Sequence, residues 1–252
     1  MDASHAAALL AAGLAAGTVN AIAGGGSLIT FPTLVATGLA PIPANVTNSI
    51  AVCPGYVASV VGSRKDLAGQ GGLALGLMPT TLVAAGLGCA LLLLTPARAF
   101  DLIVPFLVLG AAALLAFQER IKEMVGHPHK TRKVALHVLA GLGAVYGGYF
   151  GAALGVMLVA ALGLVLDESL ARVGALKNAI SAVVGLGTAV VFGLFGPVDW
   201  VSVAVLVPAT VAGGYLGAHL ARRLPARVLR AVIVVIGAVV GAVLLVRALR
   251  QP

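Results

Sequence analysis

The stretch Asn20-Ala21-Ile22-Ala23-Gly24-Gly25-Gly26-Ser27 lies inside an apolar segment running from about Ala6 to Leu39. Three consecutive glycines hold a helix poorly, each costing roughly 1 kcal/mol relative to alanine. In a membrane the penalty grows, because backbone N–H and C=O groups freed by a break find no water in lipid. Such a break persists only where protein or a wet cavity surrounds it. The stretch therefore reads as a re-entrant or broken-helix element that directs polar groups at a central site. Asn20, Ser27 and Thr30 supply side chains there, and Gly24, Gly25 and Gly26 let a ligand approach the backbone.

The rest of the chain fits a membrane setting. Of 252 residues, 60% are hydrophobic and 10% charged, where a soluble domain carries about 25% charged residues. The longest polar stretch is 118–133, so no soluble domain of any size is present, and 1–252 reads as a single membrane transport domain. The net charge of +8 is read as cytoplasmic loops obeying the positive-inside rule, not as a nucleic-acid surface. Cys53 and Cys89 both sit in apolar runs and read as small buried hydrophobes, with no disulfide, metal or cofactor framework. No basic region precedes the first apolar run, so a cleaved signal peptide is not expected.

Segments of spanning length occur at about 44–62, 73–94, 101–117, 174–195, 199–219 and 228–246, each near the roughly 20 apolar residues a span needs. Two more, 6–40 and 134–165, are too long for one span and are broken by glycine, as re-entrant hairpins or pairs of short spans. The halves repeat. At an offset of 130, Gly13, Gly17 and Gly25 match Gly143, Gly147 and Gly155, and Asn48 matches Asn178. At 129, Pro79-Thr80-Thr81 matches Pro208-Ala209-Thr210, and Pro96-Ala97-Arg98 matches Pro225-Ala226-Arg227. The first repeat is 1–117, a basic cytoplasmic linker is 118–133, and the second repeat is 134–252.

Charge decides the orientation. With the N-terminus outside and both broken segments entering and leaving on one side, thirteen of the sixteen basic residues fall inside, Arg222 and Arg223 among them. Arg98, Arg247 and Arg250 fall outside. The expected fold is an all-α polytopic membrane protein in the cell (plasma or inner) membrane. It has two inverted repeats, each a glycine-broken or re-entrant hairpin plus about three full transmembrane helices. Inverted repeats with discontinuous helices near the midplane are a transporter signature. Gly143, Gly147, Gly151 and Gly155 line one helix face in the second broken segment and suit close helix packing as well as ligand contact.

The run Asn20-Ala21-Ile22-Ala23-Gly24-Gly25-Gly26, then Pro32 and Thr47-Asn48, resembles the sulfite exporter TauE/SafE family of membrane transporters. Gly147-Gly148-Tyr149-Phe150-Gly151 and Lys177-Asn178 look like that family's second repeat, so the resemblance covers essentially the whole chain. Family members usually carry a glycine run in the second repeat too. Here that place reads Ala152-Ala153-Leu154, with Gly155 remaining. The resemblance implies export of sulfite, an organosulfonate or another small anion.

A small oxyanion needs donors in a dry setting, and half-helix N-termini supply orphan N–H groups and a positive dipole end. The candidate substrate-binding residues are Asn20, Gly24, Gly25, Gly26, Ser27, Thr47, Asn48, Lys177 and Asn178. Lys177 reads either as a cation drawing substrate into the cytoplasmic mouth or as a helix-end lysine snorkelling to the interface. Pro79 and Pro208 are packed kinks or hinges, and Tyr146 and Tyr149 could add hydroxyls. There is no GxxxxGK[ST] loop to bind ATP, and no carboxylate lies mid-span to relay a proton. An exported anion can instead use the inside-negative potential, worth roughly 2.3 kcal/mol per charge per 100 mV. The first expectation is thus a secondary exporter of a small anion working through a midplane site between two broken-helix hairpins. An anion channel of the same architecture, or a transporter of carboxylates or other small molecules, stays open. No HExxH, GxSxG or acid pair within a span supports an enzyme. The expected partners are the small anion and the lipid bilayer, with a homodimer compatible and no nucleic acid.

Overall fold

A computed structural model describes residues 2–22, 24–117, 120, 123, 133–220 and 226–250, and no strand occurs among them. The helices are α1 (Ala3–Ile22), α2 (Ser27–Ala36), α3 (Pro41–Gly62), α4 (Arg64–Leu67), α5 (Gly71–Leu94) and α6 (Ala97–Ala116). After the join come α7 (Lys133–Tyr149), α8 (Leu154–Val165), α9 (Leu170–Phe195), α10 (Trp200–Leu220) and α11 (Ala226–Arg250). Of the 118–133 linker, only Arg120, Glu123 and Lys133 fall among the described residues, and Arg222 and Arg223 fall outside them.

Among the described residues, five stretches are long and apolar enough to cross a membrane: α1, α5, α6, Ala171–Phe195 of α9, and α10. The expected span at 44–62 is helical within α3 but is not among the five. Asn45, Thr47, Asn48 and Ser49 make this stretch polar, and they are buried. The break between α1 and α2 divides its segment unequally. α1 has 20 residues and α2 has 10, so at 1.5 Å per residue α1 is long enough to span and α2 covers half that distance. The second break follows the same plan, with α7 of 17 residues and α8 of 12. A helix, a shorter helix and three long helices thus follow each other in both halves, with the four-residue α4 added between the first two long helices of the first half. Helices α5 and α10 run on through Pro79 and Pro208.

Small residues set how the helices pair. α1 packs on α10, and a Cβ at Gly17 would run into the Thr210 carbonyl oxygen. α7 packs on α5 in the matching way, with Gly148 against Ala85 and Cys89. Contacts fix the directions. Gly13 meets Leu206 and Ala209 while Gly17 meets Gly213 and Gly214, so α1 and α10 run parallel. α3 runs with them, because Gly55 meets Thr210 and Gly62 meets Ala218. α9 opposes α3: Ser63 meets Asn178, Tyr56 meets Gly185, and Val46 meets Gly196. α11 opposes α6, with Ala112 on Gly237 and Leu109 on Gly241.

α3 touches α1, α2, α6, α9 and α10 and lies at the centre. The main core gathers Phe31 of α2, Phe100 of α6, Phe192 of α9 and Phe150 at the second break. The perimeter is apolar: Leu75, Val83, Leu94, Phe106, Leu142 and Leu194 are all exposed. A belt of that kind is a liability in water and is what hydrocarbon solvates. Cys53 and Cys89 are free and buried, as the apolar runs around them require.

Candidate functional site

The two breaks meet. Gly24 (φ 81°) and Gly155 face each other so closely that a Cβ at Gly24 would fall 2.6 Å from the Gly155 Cα. Backbone at that separation admits no side chain on either partner. Phe31 and Phe150 add an edge-to-face contact beside it, with ring centroids 5.3 Å apart.

Each broken helix ends on a side chain from the other half. Lys177 of α9 donates from Nζ to the Asn20 carbonyl oxygen at 2.6 Å and to that of Ala21 at 3.5 Å. Asn45 of α3 donates from Nδ2 to the Tyr149 carbonyl oxygen at 2.9 Å. Carbonyls in the last turns of α1 and α7, orphaned by helix geometry, thereby gain donors. The pair differs in charge. Lys177 is the only buried charged side chain among the described residues, and it sits against the negative end of the α1 dipole. Its burial differs from the exposure of a lysine that snorkels to an interface.

Next to the breaks lies a cavity of ≈ 20 Å³, close to the room one water needs. The first half lines it with Ser27, Asn48, Ser49, Val52 and Tyr56, and the second with Gly147, Gly151, Leu154, Val184, Gly185 and Thr188. Residues 48–56 are central in α3 and 184–188 in α9, so the cavity lies about halfway along the molecule. Ser27 and Leu154 are the first residues of α2 and α8, so both shorter helices present their N-terminal ends to it. No carboxylate is among the described residues that line it. Ser49 and Thr188 donate to the carbonyls of Asn45 and Gly185 on their own helices. The Asn48 Oδ1 accepts from the Thr30 hydroxyl, which turns the amide nitrogen into the end left for a ligand. What the cavity offers a guest is therefore a donor set without acid: one amide, the Ser27 and Tyr56 hydroxyls, and two positive helix ends.

A protein-family model described as Sulfite exporter TauE/SafE matches residues 9–244. The chain belongs to that family. Among its relatives, the "Probable membrane transporter protein YfcA" of Escherichia coli strain K12 is 28% identical over 209 residues, covering 80% of this chain and 75% of the relative. A "Probable membrane transporter protein" of Haemophilus influenzae strain Rd is 27% identical over 215 residues, covering 83% and 82%. The "Probable membrane transporter protein ORF9" of a Sinorhizobium species is 30% identical over 199 residues, covering 76% and 74%. No solved structure matches. This TauE/SafE member is accordingly a multi-pass membrane transporter and not an enzyme.

The residues that the sequence singles out as candidates divide around the cavity of this transporter. Ser27 and Asn48 line it. Asn20 stands behind the break, its Oδ1 accepting the Gly26 N–H at 2.7 Å. Gly24 and Gly26 serve backbone packing: Gly24 meets Gly155, and Gly26 meets the Ala16 carbonyl. Gly25 (φ 92°) makes the turn itself. Thr47 points the other way and accepts the Asp199 N–H at 3.0 Å, tying down the start of α10. Asn178 reaches the Ser63 hydroxyl at 3.3 Å in the α3–α9 seam. Tyr149 turns its hydroxyl to within 3.4 Å of the Thr95 hydroxyl. Ser49, Tyr56 and Thr188 were not anticipated. The first two share a helical stripe with Asn48 and Val52 at spacings of three to four residues, a signal present in the sequence.

Proposed function

We propose that this TauE/SafE transporter exports a small oxyanion, sulfite or an organosulfonate, by alternating access of two inverted halves around the central cavity. The observation that carries the reading is the convergence of two half-helix N-termini and the Asn48 amide on one acid-free cavity midway along the molecule. Oriented N–H groups and positive dipole ends stabilise an anion where water is scarce. Inversion of the halves is supported by the opposed directions of the equivalent helices α3 and α9, and α6 and α11. The small cavity fits a closed state, because a sulfur oxyanion needs more room than about one water. That favours a carrier over an open channel. Arg64, Lys65 and Arg172 gather where α4 meets the start of α9, with Arg172 donating to the Ala68 carbonyl at 3.0 Å. The positive-inside rule makes that end cytoplasmic and the N-terminus external.

The test is flux of sulfite, sulfate, thiosulfate, sulfoacetate, taurine and acetate in proteoliposomes, for wild type and Asn48→Ala. Saturable flux of one or more sulfur oxyanions, reduced at least about tenfold in the variant, is the expected result. Flux of acetate alone would remove the sulfur assignment, and flux unchanged in Asn48→Ala would move the site elsewhere.

A further inference from the structure

We infer that the site carries one net positive charge, supplied by Lys177, and therefore selects singly charged oxyanions over doubly charged ones. This rests on the anion reading above and adds the charge class of the substrate.

Two helices end at the breaks and two begin there. The C-terminal ends of α1 and α7 each carry roughly half a negative elementary charge, and the N-terminal ends of α2 and α8 each carry roughly half a positive one. The four ends cancel. The hydroxyls and amides around the cavity are neutral. Asp66, Asp101, Asp167, Glu168 and Asp199 lie at or near helix ends, away from the lining. What remains is the ammonium of Lys177, buried to 1% exposure, whose partners among the described residues are two carbonyl oxygens and no carboxylate. It is held next to the breaks, since a Cβ at Gly155 would lie 3.2 Å from the Lys177 Cδ. Its counterpart Asn45 performs the same cap without charge, so capping alone does not call for an ammonium.

An uncompensated charge in a dry interior is unfavourable, and a bound anion of charge minus one removes it. A dianion would leave one negative charge uncompensated in the same place. The same charges set which step senses voltage. The loaded site is neutral as it turns outward, and the empty, positive site is drawn back by the inside-negative potential. Anion-for-anion exchange is then electroneutral, while net export is not.

Isethionate and sulfoacetate make the comparison, being close in size, fixed in charge near neutral pH, and singly and doubly negative. Wild-type protein is expected to bind isethionate at least about tenfold more tightly than sulfoacetate. Isethionate exchange in proteoliposomes is expected to ignore an imposed potential that changes net efflux. Lys177→Met is expected to lose at least about tenfold in isethionate affinity. Equal affinity for the two anions, or exchange that follows the potential, overturns the inference and leaves the anion reading intact. Binding of neither anion, nor of any other in the flux panel, overturns both. If Lys177→Met does not fold, the two wild-type measurements decide the question alone.

Discussion

The two breaks reach one geometry by different chemistry. In the first half the turn uses Gly24 (φ 81°) and Gly25 (φ 92°), and the Asn20 side chain holds the Gly26 N–H. In the second half the turn uses Gly151 (φ 74°) and Ala153 (φ 61°). At the offset of 130, the place of Asn20 is taken by Phe150, which packs on Phe31 of α2. The Phe150 and Gly151 N–H groups both go to the Tyr146 carbonyl instead. One break is tied by a polar side chain, and the other is plugged by an aromatic ring. A broken helix in a membrane needs its freed backbone groups satisfied, and either route does so. The glycine run is therefore not the requirement. The requirement is left-handed backbone at two nearby positions and an approach close enough for Gly24 and Gly155 to touch.

The largest expected effect tests that approach. In Gly24→Ala a methyl group meets Gly155 backbone, which cannot yield as a side chain could, and alanine must also adopt φ near 81°. The left-handed conformation alone costs about 1–2 kcal/mol. With the overlap, a loss of about 4 kcal/mol or more is expected, enough to abolish monodisperse protein in detergent. Gly25→Ala is the control. It shares the left-handed φ, but its nearest neighbour would be Leu115 Cδ2 at 3.5 Å, an ordinary contact. Its loss should stay near the conformational cost of about 1–2 kcal/mol. Equal behaviour of the two variants would mean that the breaks do not touch.

Asn20→Ala comes next and tests the polar tie. It leaves the buried Gly26 N–H without its acceptor, for an expected loss of about 1–3 kcal/mol in thermal unfolding. Phe150→Leu in the other half keeps the apolar plug and should cost less, about 1 kcal/mol. If Asn20→Ala were as mild as Phe150→Leu, the polar tie would be dispensable and the two halves more alike than their side chains suggest.

The two breaks were legible because glycine inside a hydrophobic run conflicts with helix propensity at a fixed place. The direction of each side chain was not. Thr47 and Asn48 are neighbours in sequence, yet about 100° apart around α3, so one lines the cavity and the other holds Asp199. Which faces of a buried helix meet which partner depends on the long-range pairing of α3 with α9 and α10, and no local pattern encodes it. Lys177 was unreadable for the same reason. Its partner lies 157 positions away and is a backbone carbonyl, which carries no residue identity. By contrast, the stripe of Ser49, Val52 and Tyr56 beside Asn48 was open to reading by helical period.

The smallest effect carries the sharpest test of how the second break is held. Ala153 is the only non-glycine residue with positive φ among the described residues. An alanine there stores about 1–2 kcal/mol of strain. Glycine would remove it but would lose more conformational entropy on folding, roughly 0.5–1 kcal/mol. Ala153→Gly should therefore stabilise by about 0–1.5 kcal/mol, the difference of those two effects, read as a raised unfolding temperature in detergent. The side chain is 1% exposed, so the methyl group is also a packing atom, and its removal subtracts from the gain. A clear loss of stability would mean that the packing of this methyl outweighs the strain. The second break would then depend on its side chains for its shape, as the first depends on Asn20.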